Sequence, residues 1–159
     1  MNKKPSIVNV EPKPIDLIRT WGESGYSIGF TNGCFDLIHP GHISLLHHAK
    51  SECDKLVVGL NSDSSVEKLK GEGRPIQKEN ARATVLLALQ DVDTVIIFSD
   101  ETPIKLIELI KPDVLIKGGD YKIDEIVGAE FIQQNGGRVV LSDYKKGHST
   151  SDIIKKIES

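Results

Sequence analysis

The chain has 159 residues, a formal net charge of −3 and 38% hydrophobic residues. This length and balance are typical of a single globular domain that can bury a core. Acidic and basic residues are interspersed along the chain, which argues against a nucleic-acid-binding face, because such a face needs clustered Lys and Arg. No apolar run approaches the roughly 20 residues that a membrane span needs, and the N-terminus lacks the apolar core of a signal peptide.

The two cysteines, Cys34 and Cys53, have no metal-type spacing, and we do not expect them to form a disulfide framework. A reducing compartment fits this usage. We therefore expect a cytoplasmic protein that binds neither nucleic acid nor membranes.

Residues 1–14 contain several prolines and few apolar residues, and they are predicted to form a loose arm before a single domain at 15–159. A helical pattern follows over 15–22. After it, short segments rich in Val, Ile or Phe alternate with helical patterns. The predicted strands cover residues 27–31, 55–60, 94–98, 114–117 and 138–141, and the further predicted helices cover 41–51, 79–90, 102–110, 125–134 and 150–157.

This alternation predicts an α/β fold of the Rossmann-like type, with a five-stranded parallel sheet and helices on both faces. In such sheets, ligands bind beyond the carboxyl ends of the strands, at the point where the strand order reverses. We expect four loops to meet there, at residues 32–40, 61–63, 118–121 and 145–149.

The segment TNGCFDLIHPGH, residues 31–42, carries the densest chemical signal. His39 and His42 flank a Pro-Gly step where a strand gives way to a helix. The free N–H groups and positive dipole of a helix start favour an anion, and histidines there can donate hydrogen bonds to phosphate oxygens. A metal site and purely structural histidines are the alternatives; the first lacks a third ligand at a recognised spacing. His47 and His48 are interpreted as surface or packing residues.

The segment GHSTSDIIKKI, residues 147–157, places three hydroxyl side chains before an amphipathic helix. An ordinary N-cap requires only one of them. Lys145, Lys146 and His148 lie just ahead, so we predict a second anion site that suits the outer phosphates of a nucleoside triphosphate. The buried side of this helix is predicted to carry Ile153, Ile154 and Ile157.

Two further segments are candidates for ligand contacts. The Gly-broken basic segment LKGEGRP, residues 69–75, is interpreted either as a flap that closes on phosphate or as a solvated loop. The segment KGGDY, residues 117–121, exposes backbone groups that suit a base or sugar edge, and a simple turn is the alternative. Cys34 is interpreted as a small, partly buried residue rather than a nucleophile.

Taken together, these motifs resemble those of the HxGH nucleotidyltransferase superfamily over residues 27–157. Within it, the chain looks most like the heptose 1-phosphate adenylyltransferases. The resemblance implies that D-glycero-β-D-manno-heptose 1-phosphate and ATP give ADP-heptose and pyrophosphate for lipopolysaccharide core synthesis, by in-line attack and without a covalent intermediate. It also implies Mg²⁺ bound with ATP, no metal held by the protein alone, and a homodimer.

Carried over by position, the resemblance implies a set of site residues. The residues that it makes catalytic are His39, His42, Lys70 and Thr150. Those that it makes nucleotide- or substrate-binding are Thr31, Asn32, Gly33, Cys34, Phe35, Asp36, Gly41, Asn61, Asp63, Arg74, Arg82, Lys117, Gly118, Gly119, Asp120, Tyr121, Ser149 and Ser151. Arg82 is assigned with Lys70 and Arg74 to the flap-side phosphate clamp.

One position departs from the cytidylyltransferase branch of the superfamily. That branch has an arginine shortly before its Ser-Thr-Thr segment, whereas this chain has Tyr144 followed by two lysines. The departure disfavours cytidylyl transfer to glycerol phosphate or another polyol phosphate, which stays as the first alternative. A non-catalytic nucleotide-binding domain is the second.

Overall fold

The computed structural model describes residues 13–143 and 147–159. Most of the predicted arm, residues 1–12, lies outside the described residues, as do Tyr144, Lys145 and Lys146. Within the part that the structure describes, no helix has the length and apolar character needed to cross a membrane.

A parallel five-stranded sheet forms the centre of the fold. Its strands are β1 (Ile28–Gly33), β2 (Lys55–Asn61), β3 (Thr94–Phe98), β4 (Val114–Gly118) and β5 (Arg138–Ser142). They lie in the order β3-β2-β1-β4-β5, and every neighbouring pair is parallel. β2, β3 and most of β1 are buried, as expected for strands covered on both faces. The Rossmann-like prediction is confirmed.

Helices cover both faces of this sheet. They are α1 (Pro14–Glu23), α2 (Pro40–Ser51), α3 (Asp63–Lys70), α4 (Glu79–Leu87), α5 (Ile104–Ile110), α6 (Ala129–Gln134) and α7 (Thr150–Glu158). Apolar residues of α2 and α4, such as Leu46 and Leu86, form one core with the sheet. Residues of α1, α5 and α6 form a second core on the other face, around Phe30.

Three elements differ from the predicted ones by three residues or more. α3 was not predicted as a helix; the Ser62 hydroxyl caps its start by accepting a hydrogen bond from Ser65 N at 3.3 Å. α4 ends at Leu87 rather than at residue 90. α6 begins later than predicted, after a 3₁₀ turn, because Gly128 adopts a left-handed φ of +90° directly before it.

The C-terminal helix is less buried than predicted. Ile153 and Ile154 are partly buried, but Ile157 is 76% exposed, so its assignment to a buried face was wrong. The physical reason is the way α7 is attached. Its first turn is held by a hydrogen bond from Thr150 Oγ1 to the Leu37 carbonyl at 3.1 Å, and Ile157 lies about two turns further on.

Candidate active site

A cavity of about 590 Å³ opens beyond the carboxyl ends of β1 and β4. These two strands are neighbours in the sheet but far apart in the chain, so the strand order reverses between them. This is the place where open α/β sheets bind ligands. The volume lies within the usual range for small-molecule sites, about 300–1,000 Å³.

Most of the predicted site residues line this one cavity. They are Asn32, Gly33, Cys34, Phe35, Asp36, His39, Gly41, His42, Asn61, Lys70, Arg74, Lys117, Gly118, Gly119, Tyr121, Ser149, Thr150 and Ser151. The expectation that the loops after β1, β2 and β4 meet with the GHSTS segment above one edge of the sheet is therefore confirmed. Four predicted residues do not line the cavity: Thr31, Asp63, Arg82 and Asp120.

His39 and His42 cap the start of α2 through their own side chains. His39 Nδ1 accepts a hydrogen bond from Gly41 N at 3.1 Å, and His42 Nδ1 lies 3.4 Å from His39 N. The two imidazole rings stack with their centroids 3.7 Å apart. Because Nδ1 of His39 is an acceptor, the neutral ring carries its proton on Nε2. That Nε2–H is the group left to donate to a ligand.

Both imidazoles are held in the neutral form. Burial lowers the pKa of His39, and neighbouring His148 lowers it further. Burial also lowers the pKa of His42 to about 4, with His39 adding to the shift and a hydrogen bond with the Leu37 backbone opposing it. At neutral pH, both rings are therefore hydrogen-bond donors or acceptors rather than cations.

Gly41 is required by the packing between these rings. A Cβ at this position would lie 2.9 Å from His39 Cε1 and 3.4 Å from His148 Cβ. The first distance is shorter than a carbon–carbon contact allows, so a side chain here would displace His39. Glycine at position 41 thus lets two imidazoles and a helix start share one small volume.

The start of α7 also faces this cavity, next to the start of α2. Ser149 is its N-cap, and the Ser149 hydroxyl accepts a hydrogen bond from Asp152 N at 3.0 Å. The Thr150 hydroxyl proton is donated to the Leu37 carbonyl, so this hydroxyl also links α7 to the β1–α2 loop. The backbone N–H groups of Thr150 and Ser151, at the start of α7, remain for an anion.

The basic segment over residues 69–75 is anchored at one end by Asp36. This carboxylate is 1% exposed and accepts hydrogen bonds from Ile76 N at 2.8 Å, Gln77 N at 2.9 Å and Arg74 Nε at 3.0 Å. Burial alone would raise the pKa of Asp36, but the Gln77 and Ile76 amides and Arg74 outweigh it and hold the pKa below its usual value. Asp36 therefore acts as a fixed anchor, and Lys70 lies at the exposed end of α3 beside the cavity.

The prediction that Arg82 clamps phosphate is wrong. Its side chain is buried below the cavity at 1% exposure. The guanidinium donates to the carbonyls of Gln77, Cys34 and Asn61 and to the Asp63 carboxylate, at 2.7 to 2.9 Å. All three guanidinium nitrogens donate hydrogen bonds, so Arg82 connects the loop after β1, the end of β2 and the start of α4.

Asp63, Thr31 and Asp120, which were predicted to bind nucleotide or substrate, are not among the residues that line the cavity. Asp63 Oδ1 accepts from Glu79 N at 2.8 Å as well as from Arg82, so it links α3 to α4. Thr31 is 0% exposed within β1, below the cavity floor. Asp120 is exposed in the turn after β4, outside the cavity wall. Each is a neighbour of the site that the sequence pattern placed inside it.

The end of β4 forms the remaining wall. Lys117 Nζ lies 5.4 Å from the centroid of the Tyr121 ring, a cation–π contact that Gly119 permits by its φ of +118°. Burial lowers the pKa of Lys117, with Cys34 opposing this. Burial also raises the pKa of the Cys34 thiol, although the nearby cations Lys70 and Arg82 oppose the shift. A protonated thiol fits the interpretation of Cys34 as a packing residue.

Several residues that sequence reasoning left out of the site also line it. They are Leu45, Leu69, Glu101, Pro103 and Asp143; His148, which the sequence analysis places just ahead of the second anion site, also lines the cavity. Glu101 and Pro103 lie in the loop after β3. The rule about the carboxyl ends of strands applied to that loop as well, and would have found them. Over the described ranges, no group of three or more His, Cys, Asp or Glu side chains is placed to hold a metal ion.

The arrangement defines a class of protein. Two helix N-termini converge on a switch-point cavity, and paired neutral histidines cap one of them; helix starts of this kind favour anions such as phosphate groups. Sheet, cavity and His-x-Gly-His cap together are those of a nucleotidyltransferase. Residues 30–156 match the cytidylyltransferase-like family, and the chain belongs to that family.

Similar proteins support this assignment. The chain is 56% identical over 142 residues to the bifunctional protein HldE of Paramagnetospirillum magneticum, covering 89% of this chain and 29% of the relative. It is 57% identical over 139 residues to HldE of Nitrobacter hamburgensis, covering 87% and 28%. The chain thus spans under a third of the length of these curated relatives. A crystal structure of a lipopolysaccharide core biosynthesis protein from Thermoplasma volcanium is also similar, with a TM-score of 0.65 and 28% identity, covering 77% of this chain and 100% of that one.

Proposed function

We propose that the protein is an adenylyltransferase that converts D-glycero-β-D-manno-heptose 1-phosphate and ATP to ADP-heptose and pyrophosphate, for lipopolysaccharide core synthesis. One observation carries the transfer chemistry: the starts of α2 and α7 meet at a single cavity with His39 and His42 between them. The similarity to HldE proteins and to a lipopolysaccharide core biosynthesis protein supports this pathway.

The proposed reaction needs no general base. A phosphate oxygen of the acceptor attacks the α-phosphorus of ATP, and the bond from that phosphorus to the α–β bridging oxygen breaks. The electron pair leaves with pyrophosphate. Because a phosphate monoester is already largely ionised near neutral pH, with a second pKa of about 6, no proton has to be removed from the nucleophile. Neutral His39 suits this step through its Nε2–H, and His42 is proposed to exchange its hydrogen bond with the Leu37 backbone for one to the transferring phosphate or the bridging oxygen.

The outer phosphates are proposed to lie at the start of α7. The Thr150 hydroxyl proton is used by Leu37, so the backbone N–H groups of residues 150 and 151 and the Ser149 hydroxyl are the available donors. The acceptor phosphate is proposed to bind near Lys70 and Arg74, which also line the cavity. In-line displacement would then require the acceptor and the pyrophosphate to lie on opposite sides of the α-phosphorus.

Mg²⁺ is proposed to enter with the triphosphate. The described residues offer no cluster of three metal-ligating side chains, which fits a cation held mainly by phosphate oxygens and water. Bound in this way, it would neutralise charge on the leaving pyrophosphate. A homodimer, the commonest assembly of soluble proteins, and a location in the cytoplasm complete the proposal. Light scattering tests the dimer, and a monomeric mass would contradict it.

Pyrophosphate release tests the proposed reaction. The purified protein is supplied with Mg²⁺, heptose 1-phosphate and either ATP, CTP, GTP or UTP, and glycerol 3-phosphate serves as a second acceptor. We expect turnover with ATP and heptose 1-phosphate, and a product with the mass of ADP-heptose. Turnover with CTP and glycerol 3-phosphate would replace the proposal by a cytidylyltransferase. Absence of turnover in every combination, despite ATP binding, would support a nucleotide-binding domain.

A further inference from the structure

Among the residues that the structure describes, His148 is the histidine whose ring has no hydrogen-bond partner. The chain has five histidines. His39 and His42 take part in the α2 cap, His47 lies 3.2 Å from Asp91, and His48 lies 2.9 Å from Ser142 Oγ. Among residues 13–143 and 147–159, no side chain or backbone group forms a hydrogen bond or ion pair with the His148 imidazole. Its nitrogens are therefore available to a ligand.

The position of His148 joins the two helix starts. It directly precedes Ser149, the N-cap of α7, and its ring is nearly parallel to that of His39, with the centroids 6.4 Å apart and an interplanar angle of 18°. Its Cβ is one of the atoms that a Cβ on Gly41 would approach most closely, at 3.4 Å. His148 also lines the cavity. It therefore lies between the α2 histidines and the anion site at α7.

We infer that His148 is a third imidazole of the phosphate site, which donates a hydrogen bond to the β-phosphate of the bound triphosphate and to the departing pyrophosphate. The inference rests on the proposed nucleotidyl transfer and adds a residue to it. If His39 and His42 serve the transferring phosphate and α7 the outermost one, the phosphate between them lies next to His148. That bond strengthens as the bridging oxygen gains charge.

A purely structural role for His148 predicts something different. The side chain is exposed and makes no described hydrogen bond, so truncating it removes little packing and leaves no buried group unsatisfied. A structural role through Gly41 and His39 would affect every nucleotide equally and would lower the thermal stability. A role at the β-phosphate affects only ligands that have a β-phosphate.

The test compares His148→Ala with two other variants. His148→Asn keeps a side-chain N–H donor. His47→Ala is the matched control, because His47 lies on the exposed surface of α2 away from the cavity. Isothermal titration calorimetry in the presence of Mg²⁺ measures the affinities for ATP, pyrophosphate and AMP. Thermal unfolding gives Tm, and a pyrophosphate-release assay gives kcat and KM.

For His148→Ala, we expect affinity for ATP and pyrophosphate to fall about 10- to 100-fold, the loss typical of one hydrogen bond to a charged group. Affinity for AMP and Tm should stay at the wild-type values. His148→Asn should recover part of the loss, and His47→Ala should match the wild type in every readout.

Two results would overturn the inference. One is unchanged affinity of His148→Ala for ATP and pyrophosphate; the other is an equal loss for AMP, which would indicate a contact elsewhere or a general distortion. Both are distinct from failure of the proposed function, which would appear as absence of turnover in the wild-type protein itself. The binding measurements decide the role of His148 even in that case.

Discussion

Replacing Arg82 by lysine tests the correction of its role most sharply. The guanidinium is buried, and it donates through Nε, through Nη1 to two carbonyls, and through Nη2 to Asp63. A lysine ammonium is a compact charge that cannot span these diverging acceptors. About two of the hydrogen bonds should be lost, and each buried carbonyl left without a donor costs about 1–3 kcal/mol.

The expected destabilisation is therefore about 3 kcal/mol by that estimate. For a chain of this size, each kcal/mol lowers Tm by about 2–4 °C, so Arg82→Lys should melt about 6–12 °C below the wild type. Arg138→Lys is the matched control, because Arg138 also binds a carboxylate, that of Glu52, but is 53% exposed. A surface pair of this kind contributes about 0–1 kcal/mol. Its Tm should change by no more than a few degrees.

Thermal unfolding followed by circular dichroism, together with the KM for the acceptor, distinguishes a structural role of Arg82 from a role in substrate binding. Buried Arg82 predicts a large loss of Tm for Arg82→Lys, while any protein that stays folded keeps a near-normal KM. The reasoning would be refuted by a Tm within about 2 °C of the wild type combined with a strongly raised acceptor KM. That pattern is expected of a guanidinium that reaches a substrate phosphate.

Three further predictions concern the loop anchors and the histidines. Asp36→Asn should raise the acceptor KM several-fold and lower Tm, because an amide cannot accept all the hydrogen bonds that anchor Arg74 and its segment. Since the folded pKa of Asp36 is depressed, its stabilisation is present above the unfolded pKa of about 3.9 and is lost as pH falls through the folded value. The free energy of unfolding of Asp36→Asn, measured with urea, should therefore depend less on pH in this acidic range than that of the wild type. Gly41→Ala should lower kcat at least about tenfold by displacing His39, as steady-state kinetics will measure. Because the pKa of His42 falls to about 4 in the folded state, an unfolded chain binds a proton between about pH 4 and 6.5 that the folded one does not. Stability should therefore rise with pH across that window, and His42→Gln should flatten the rise.

For each of these three predictions, one result would contradict it. An unchanged KM and Tm in Asp36→Asn would mean that the anchor does not hold the flap segment. Wild-type kcat in Gly41→Ala would mean that His39 can shift without consequence. An identical pH dependence of stability in His42→Gln and the wild type would mean that the His42 imidazole is not buried in neutral form.

The five strands were well predicted because the sequence signal was strong. β3 lies at Thr94–Phe98, as predicted, since its five apolar or β-branched residues stand between polar neighbours. The switch-point rule then placed most of the candidate residues on one cavity without any coordinates. Such rules depend on topology, which the alternation of strands and helices determines.

Side-chain direction was the part that the sequence could not provide. Arg82 was assigned to a phosphate clamp by the family resemblance, but its position on α4 points the guanidinium into the protein. α3 was missed because its sequence is polar apart from Val66 and Leu69, so the apolar period is weak. The signals that remained were Ser62 as N-cap and Gly71 just after the last helical residue. Ile157 has the right period for a buried face, but periodicity alone does not say whether a neighbour covers it.

The most direct test of the central claim is pyrophosphate release by wild-type protein and His42→Asn at saturating ATP and acceptor, with ATP affinity measured alongside. If His42 stabilises the transferring phosphate, kcat should fall about 100-fold, the loss typical of one donor to a developing charge, while the Kd for ATP changes only a few-fold. Equal turnover by a folded His42→Asn protein would contradict the assignment of this cavity as the site of nucleotidyl transfer.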